Sequence, residues 1–183
     1  MTSSPVPQWR RRHFLAATLP LFGFGLMGVV RATPLHTLET LDLPTPNTEI
    51  EDSAGSPLSL AAYRPMPLLV NFWASWCPPC IHELPALQVL DEALAPHGMG
   101  VLLVGVDRKG RDFAEAFLED RGVMIRQRAY DSKGVLARAL EIRAMPTSFL
   151  VSGAGQVIGK VEGVLAWDDP AVIDAVRDRL KTA

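Results

Sequence analysis

Apolar residues along this chain follow two rhythms. Leu68-Leu69-Val70-Asn71-Phe72-Trp73 and Val101-Leu102-Leu103-Val104-Gly105-Val106 are short runs with almost no polar break, the pattern of strands buried on both faces. Between them Leu84, Leu87, Leu90, Ala93 and Leu94 recur at helical spacing as far as His97-Gly98, which predicts a helix with one buried face. Phe113, Ala116, Phe117 and Leu118 mark a second helix ending at Arg121-Gly122. A short strand is expected near Ile125 to Tyr130, and a turn or two of helix from Val135 to Leu140. Ser148 to Val151, the turn Gly153-Ala154-Gly155, and Val157 to Val161 read as a hairpin. A last helix is expected from about Asp169 to Leu180, capped by Asp168 or Asp169 with Pro170 in its first turn.

The segment ahead of these elements is less regular. Pro34, Pro44 and Pro46 interrupt Thr33 to Thr48, which reads as a linker into an irregular N-terminal stretch. Glu51 to Pro57 reads as a turn between two short strands, the second being Leu58 to Leu60. The order is therefore β-α-β-α-β-α-β-β-α, with the third strand the weakest of the set. Alternating strands and helices predict an α/β fold with a parallel core, and the closing hairpin adds an antiparallel edge. With 183 residues the chain suffices for one core and is short for two.

The first 32 residues have a different character. Arg10-Arg11-Arg12 precede an apolar run from Phe14 to Val30, followed by Arg31-Ala32. A basic start, an apolar stretch and small residues at −3 and −1 form an export signal with cleavage after Ala32. Arg11-Arg12-His13-Phe14-Leu15 also resembles the twin-arginine pattern R-R-x-F-L, although Arg10 stands where Ser or Thr is usual. An uncleaved membrane anchor is the alternative. About 17 apolar residues is the lower limit for a span, and Pro20 with Gly23, Gly25 and Gly28 weakens it further. Residues 1–32 are read as the leader or anchor, and 33–183 as the domain.

Charge and cysteine content narrow the function. The formal net charge of −2 conceals four arginines and no acid in the leader, so the remainder has 14 basic and 20 acidic residues and a net charge of −6. An acidic body excludes nucleic acid as partner, because phosphate binding needs a basic face. It would instead favour basic substrates by weak steering. The two cysteines, Cys77 and Cys80, are three positions apart, and His36, His82 and His97 show no ligand spacing. That count is too small for a stapled scaffold and too small for a zinc site. No cofactor and no metal are expected.

A thiol attacks a disulfide as the thiolate, so such a site must favour one thiolate and keep a second thiol in reach. Here a buried strand ends at Trp73, a short loop follows, and Cys77 opens the next helix. Free N–H groups and the positive end of the helix dipole favour a thiolate there. Pro78 and Pro79 suit the first turn, where their missing N–H groups have no intrahelical partner. By position Cys77 is the exposed nucleophile and Cys80 the more buried resolving thiol that closes the Cys77–Cys80 disulfide. A merely structural bridge across so short a loop would add little stability.

The ten residues Asn71-Phe72-Trp73-Ala74-Ser75-Trp76-Cys77-Pro78-Pro79-Cys80 resemble the active-site segment of the thioredoxin superfamily, above all its TlpA-like branch. That branch includes the ResA- and CcmG-like cytochrome c maturation proteins, and the similarity runs from about Leu41 to the C-terminus. The resemblance implies a thioredoxin-like fold: a central mixed sheet flanked by helices, with an N-terminal short-strand extension and a central insertion over Asp107 to Leu140. Pro85 matches the proline inside the family's active-site helix. Met145-Pro146-Thr147 matches its cis-proline loop, so Met145 would pair with an extended substrate and Pro146 would set the turn. Trp76 is placed with them on the substrate side. Trp73 and Trp76 are both expected to pack beside the pair and shield it.

Two positions carry more information. Asn71 stands where cytosolic thioredoxins hold a buried Asp that moves the second thiol's proton, and an amide cannot take that proton. Glu83 matches a glutamate close to the pair in ResA-like proteins. One helical turn past Cys80, it either serves as base or raises the thiol pKa values, or else is a solvated surface residue. His82 is expected to point away and be exposed.

These readings imply a periplasmic protein-disulfide reductase acting as a monomer. Its partners would be disulfides of exported proteins, such as apocytochrome c or a copper-site assembly protein, and a membrane thiol-electron transporter of the DsbD/CcdA kind as reductant. A DsbA-like oxidase or isomerase differs in redox poise, which the residues do not state. A copper chaperone holding the ion on Cys77 and Cys80 would need a third soft ligand such as Met145. A peroxiredoxin would need a lone cysteine in a P-x₃-T-x₂-C context, which is missing here.

Overall fold

Burial explains the two central strands. In a computed structural model that describes residues 38–182, β4 (Leu68–Trp73) and β5 (Gly100–Gly105) pair in parallel and every residue of both is buried. The alternation of a strand sends Leu69, Trp73, Val101 and Leu103 into one core. Leu68, Val70, Phe72, Leu102 and Val104 go to the opposite face. Helices α1 (Pro78–Leu94), α2 (Arg111–Glu119) and α4 (Pro170–Lys181) cover the first core. The short α3 (Val135–Ala139) and a 3-10 turn at Leu60–Tyr63 cover the second.

Among the described residues the sheet has eight strands in the order β1-β8-β7-β4-β5-β6-β2-β3, where β1 is Glu39–Pro44, β2 Ile50–Asp52, β3 Pro57–Leu58, β6 Gln127–Tyr130, β7 Thr147–Val151 and β8 Gln156–Glu162. Only the β4–β5–β6 core is parallel, joined through α1 and α2 as parallel strands require. The hairpin β7–β8 runs antiparallel alongside β4. This is the mixed sheet flanked by helices that the alternation predicted. The insertion between β5 and β7 contributes α2, β6 and α3.

Turns and ends follow local chemistry. Asp52 Oδ1 accepts from the N–H groups of Ala54 and Ser56 at 2.8 Å each, which closes the expected β2–β3 turn as an Asx turn does. α1 gives way to a 3-10 turn at Ala95–His97 and stops at Gly98, whose φ of 69° is left-handed. Asp169, rather than Asp168, caps α4 by accepting from Ala171 N–H at 2.7 Å, with Pro170 at its start.

Two expectations fail at the N-terminal side. Glu39–Pro44 is not linker but the edge strand β1, antiparallel to β8, with an irregularity between Thr40 and Leu43. Pairing with β8 supplies the order that the prolines seemed to deny, and Pro44 is tolerated at the end of an edge strand. The second hairpin strand stops at Leu58, and Leu60 instead opens the 3-10 turn, its buried side chain plugging the second core. The short-strand extension is also divided, with β1 at one edge of the sheet and β2–β3 at the other. The leader proposed for residues 1–32 lies outside the described residues. Among the described residues no helix is long and apolar enough to cross a membrane.

Candidate active site

The loop after β4 delivers Cys77 to the head of α1. Ser75 anchors that loop, donating its N–H to Asp107 Oδ2 at 2.9 Å and its hydroxyl to Asp107 Oδ1 at 2.6 Å. Asp107 lies two residues past the end of β5 and is 3% exposed, so the strand end that borders β4 also fixes the approach to the cysteine. Cys77 is the N-cap of α1, and its Sγ accepts from Cys80 N–H at 3.3 Å. Pro78 and Pro79 occupy the first turn and Pro85 lies farther along the same helix, as expected. The two cysteines form a disulfide with Cα atoms 5.3 Å apart. Cys77 is 5% exposed and Cys80 0%. The order of accessibility is the expected one, but the tip is narrower than expected: only an edge of Cys77 reaches solvent.

The tryptophans divide. Trp73 is fully buried beside Phe117, with ring centroids 5.8 Å apart. Trp76 does not pack down as a shield; it is 64% exposed. A cleft of about 520 Å³ adjoins it, lined by Ser75, Trp76, Val106, Asp107, Arg108 and Lys109. The Met145–Pro146 peptide bond is cis, matching the loop it resembles. Met145 is half-buried, Pro146 is buried, and Pro146 C=O accepts from Gly163 N–H at 2.9 Å.

Glu83 is not a surface residue. It lies three residues past Cys80 in α1, one helical turn along, and is 2% exposed. Its Oε1 accepts from Asn71 Nδ2 at 2.7 Å and its Oε2 from Trp167 Nε1 at 3.1 Å. Burial pushes the carboxyl up from 4.5 to about 7, while the two hydrogen bonds act in the opposite direction. A carboxyl raised toward neutrality one helical turn from a thiol is of the kind suited to exchange protons with it. Asn71 Nδ2 also donates to Ser148 Oγ at 3.0 Å, so the amide that replaces an aspartate now braces a glutamate from the helix. His82 is exposed, as expected.

Asp107, Ser148 and Trp167 were not found by sequence reading. Asp107 had a signal, a lone acid closing a buried strand, whereas Trp167 reaches Glu83 from 84 residues away and no local pattern marks it. Among the described residues no three His, Cys, Asp or Glu side chains cluster so as to hold a metal ion.

Comparison with known proteins agrees with this geometry. The sequence matches the Redoxin family over residues 42–176. It is 31% identical over 153 residues to the thiol:disulfide interchange protein DsbE of Vibrio cholerae, covering 76% of this chain and 80% of that one. It is 36% identical over 102 residues to a DsbE homolog of Paracoccus denitrificans, covering 55% of this chain and 53% of the relative, so the match spans about half of that protein's length. The crystal structure of a Chlorobium tepidum protein described as a thiol:disulfide interchange protein DsbE superposes with a TM-score of 0.64 at 26% identity, over 79% of this chain and 96% of that one. A family match across most of the domain, together with a cysteine pair at the head of α1, leaves one assignment: the chain belongs to the Redoxin family, among its DsbE-type thiol–disulfide oxidoreductases.

Proposed function

We propose that the protein is an exported protein-disulfide reductase of the cell envelope. The observation that carries the reading is the Cys77–Cys80 disulfide with Cys77 as N-cap of α1, a helix terminus that favours the thiolate. In the reduced state Cys77 thiolate attacks a substrate disulfide. One S–S bond breaks, a Cys77–substrate S–S bond forms, and one substrate thiolate leaves. Cys80 gives up its proton to Glu83 and attacks Cys77 Sγ, releasing the second substrate sulfur as a thiolate, which takes up a proton from Glu83 or solvent, and restoring the Cys77–Cys80 disulfide. Two electrons pass to the substrate in all, and a partner dithiol must return them.

Trp76, Met145 and Pro146 are assigned to the substrate. Exposed Trp76 offers an apolar platform beside the nucleophile, and the loop at Met145 offers main chain for an extended segment. The substrate class, disulfides of exported proteins such as apocytochrome c or a copper-site assembly protein, and a DsbD/CcdA-like membrane reductant follow from the resemblance to the TlpA-like branch. The names of the DsbE relatives support interchange chemistry and leave its direction open. Equilibration of the pair in dithiothreitol or glutathione buffers tests that direction. A potential at or below roughly −270 mV is expected. A value above about −180 mV overturns the reductant reading in favour of an isomerase or oxidase.

A further inference from the structure

The setting of Glu83 is built from parts that do not themselves titrate. Strand β4 presents Asn71, β7 presents Ser148 behind it, and the segment before α4 presents Trp167. The thiols of Cys77 and Cys80, on the glutamate's own helix, are the titratable groups of the pair it serves. Among the described residues the carboxyl's proton affinity is set by burial, which raises it, and by the two hydrogen bonds, which lower it. Trp167 is wholly buried, and its backbone is held where it is, with its N–H bonded to Leu165 C=O at 2.9 Å and the capped start of α4 just beyond.

The two donors differ in kind. An indole N–H only donates, and it donates more strongly to an ionised acceptor than to a neutral one. Trp167 therefore draws Glu83 toward the carboxylate. An amide both donates and accepts. Asn71 Oδ1 is buried and has no hydrogen-bond partner among the described residues. Half a turn of the amide brings that oxygen to face Glu83 Oε1, where it accepts from the protonated acid, and Ser148 hydroxyl can donate to the same oxygen. Asn71 thus serves either protonation state, whereas Trp167 serves one.

We propose that Trp167 is a positioning residue, acting with Asn71, that sets the proton affinity of Glu83 and so the pH range over which the Cys77–Cys80 pair exchanges. The inference rests on Glu83 being the proton carrier for the pair. In the step concerned, the S–H bond of Cys80 breaks, an O–H bond forms on Glu83, and the thiolate so produced attacks Cys77 Sγ. Asn71 turns to accept the new O–H, and the return of the proton reverses both movements.

The test is the pH profile of disulfide reduction by the full chain, read for Trp167→Phe, Glu83→Gln and the double variant. Trp167→Phe keeps an aromatic ring but removes the donor. It is expected to move the midpoint near pH 7 upward by about one unit, the scale of a lost hydrogen bond to a charged group. Glu83→Gln removes that limb, and adding Trp167→Phe to it moves nothing further in pH. If Glu83→Gln leaves the profile intact, the proton-carrier reading falls and this inference with it. If Glu83→Gln responds but Trp167→Phe leaves the midpoint in place, the positioning role alone is overturned. Should Trp167→Phe fail to fold, the wild-type protein decides through the assigned ¹⁵N–H resonance of the Trp167 indole. Titration of that signal near pH 7, lost in Glu83→Gln, supports the proposal, and a signal flat from pH 5 to pH 9 overturns it.

Discussion

Glu83 shows how burial changes the meaning of a residue. On a solvated face it would be one more acid in an acidic protein; at 2% exposure, with its carboxyl raised to about 7, it changes charge at neutral pH. The sign for stability follows. The folded state holds the proton more tightly than the unfolded chain, so ionisation opposes folding as pH rises from 4.5 toward 7. The penalty is full above the folded value, on the order of 3 kcal/mol. The oxidised wild type should therefore lose thermal stability between about pH 4.5 and pH 7 relative to Glu83→Gln, as differential scanning calorimetry would show. Parallel melting curves at every pH would refute the coupling. A second prediction concerns the order of the thiols. Cys77 alone reaches solvent, so Cys80→Ser should accumulate a mixed disulfide with substrate on non-reducing gels, and Cys77→Ser should not. Equal trapping by both would reverse the roles.

At the scale of elements, the site depends on what adjoining strand ends hold in place. Asp107, at the end of β5, carries the loop that follows β4 through its two bonds to Ser75. Asp107→Ala leaves Ser75 without both partners in a half-buried setting, so a loss of about 1–3 kcal/mol is expected. The melting temperature should fall and reduction of a peptide disulfide should slow, since Cys77 is two residues past the released anchor. Normal rates in a destabilised variant would mean that the loop keeps its form without Asp107. The helices were legible because their stripes and caps are local: Leu84, Leu87, Leu90 and Leu94 all reach the core, and Asp169 caps α4. β1 was hidden because an edge strand takes its order from its partner, here β8, and three nearby prolines dominated the local pattern.

For the whole molecule, location and charge govern which partners are met. The body of the chain is acidic with a net charge of −6, whereas its first 32 residues hold four arginines and no acid. If residues 1–32 are an export leader, replacement of Arg11 and Arg12 by Lys keeps its positive charge but removes the guanidinium pair that a twin-arginine receptor would read. The double variant is expected to stay in the cytoplasm with its leader attached, as cell fractionation and mass would show. Normal arrival outside would mean the general secretory route or an anchor, and would leave the redox assignment untouched. While the loop at Met145-Pro146 was implied only by the family resemblance, sequence alone determined the α/β alternation, the buried strands β4 and β5 and the cysteine pair at a helix start. Each of these is written in neighbouring residues, where periodicity, capping and the demands of thiolate chemistry act within a turn or a strand. Only the tertiary structure decided that Glu83 is buried, that Trp76 stays in solvent, that Cys77 shows no more than an edge, and that Trp167 and Asn71 hold one carboxylate between them. Those facts depend on which surfaces meet across 12 and 84 residues of chain, and packing between distant elements leaves no periodic trace in a sequence.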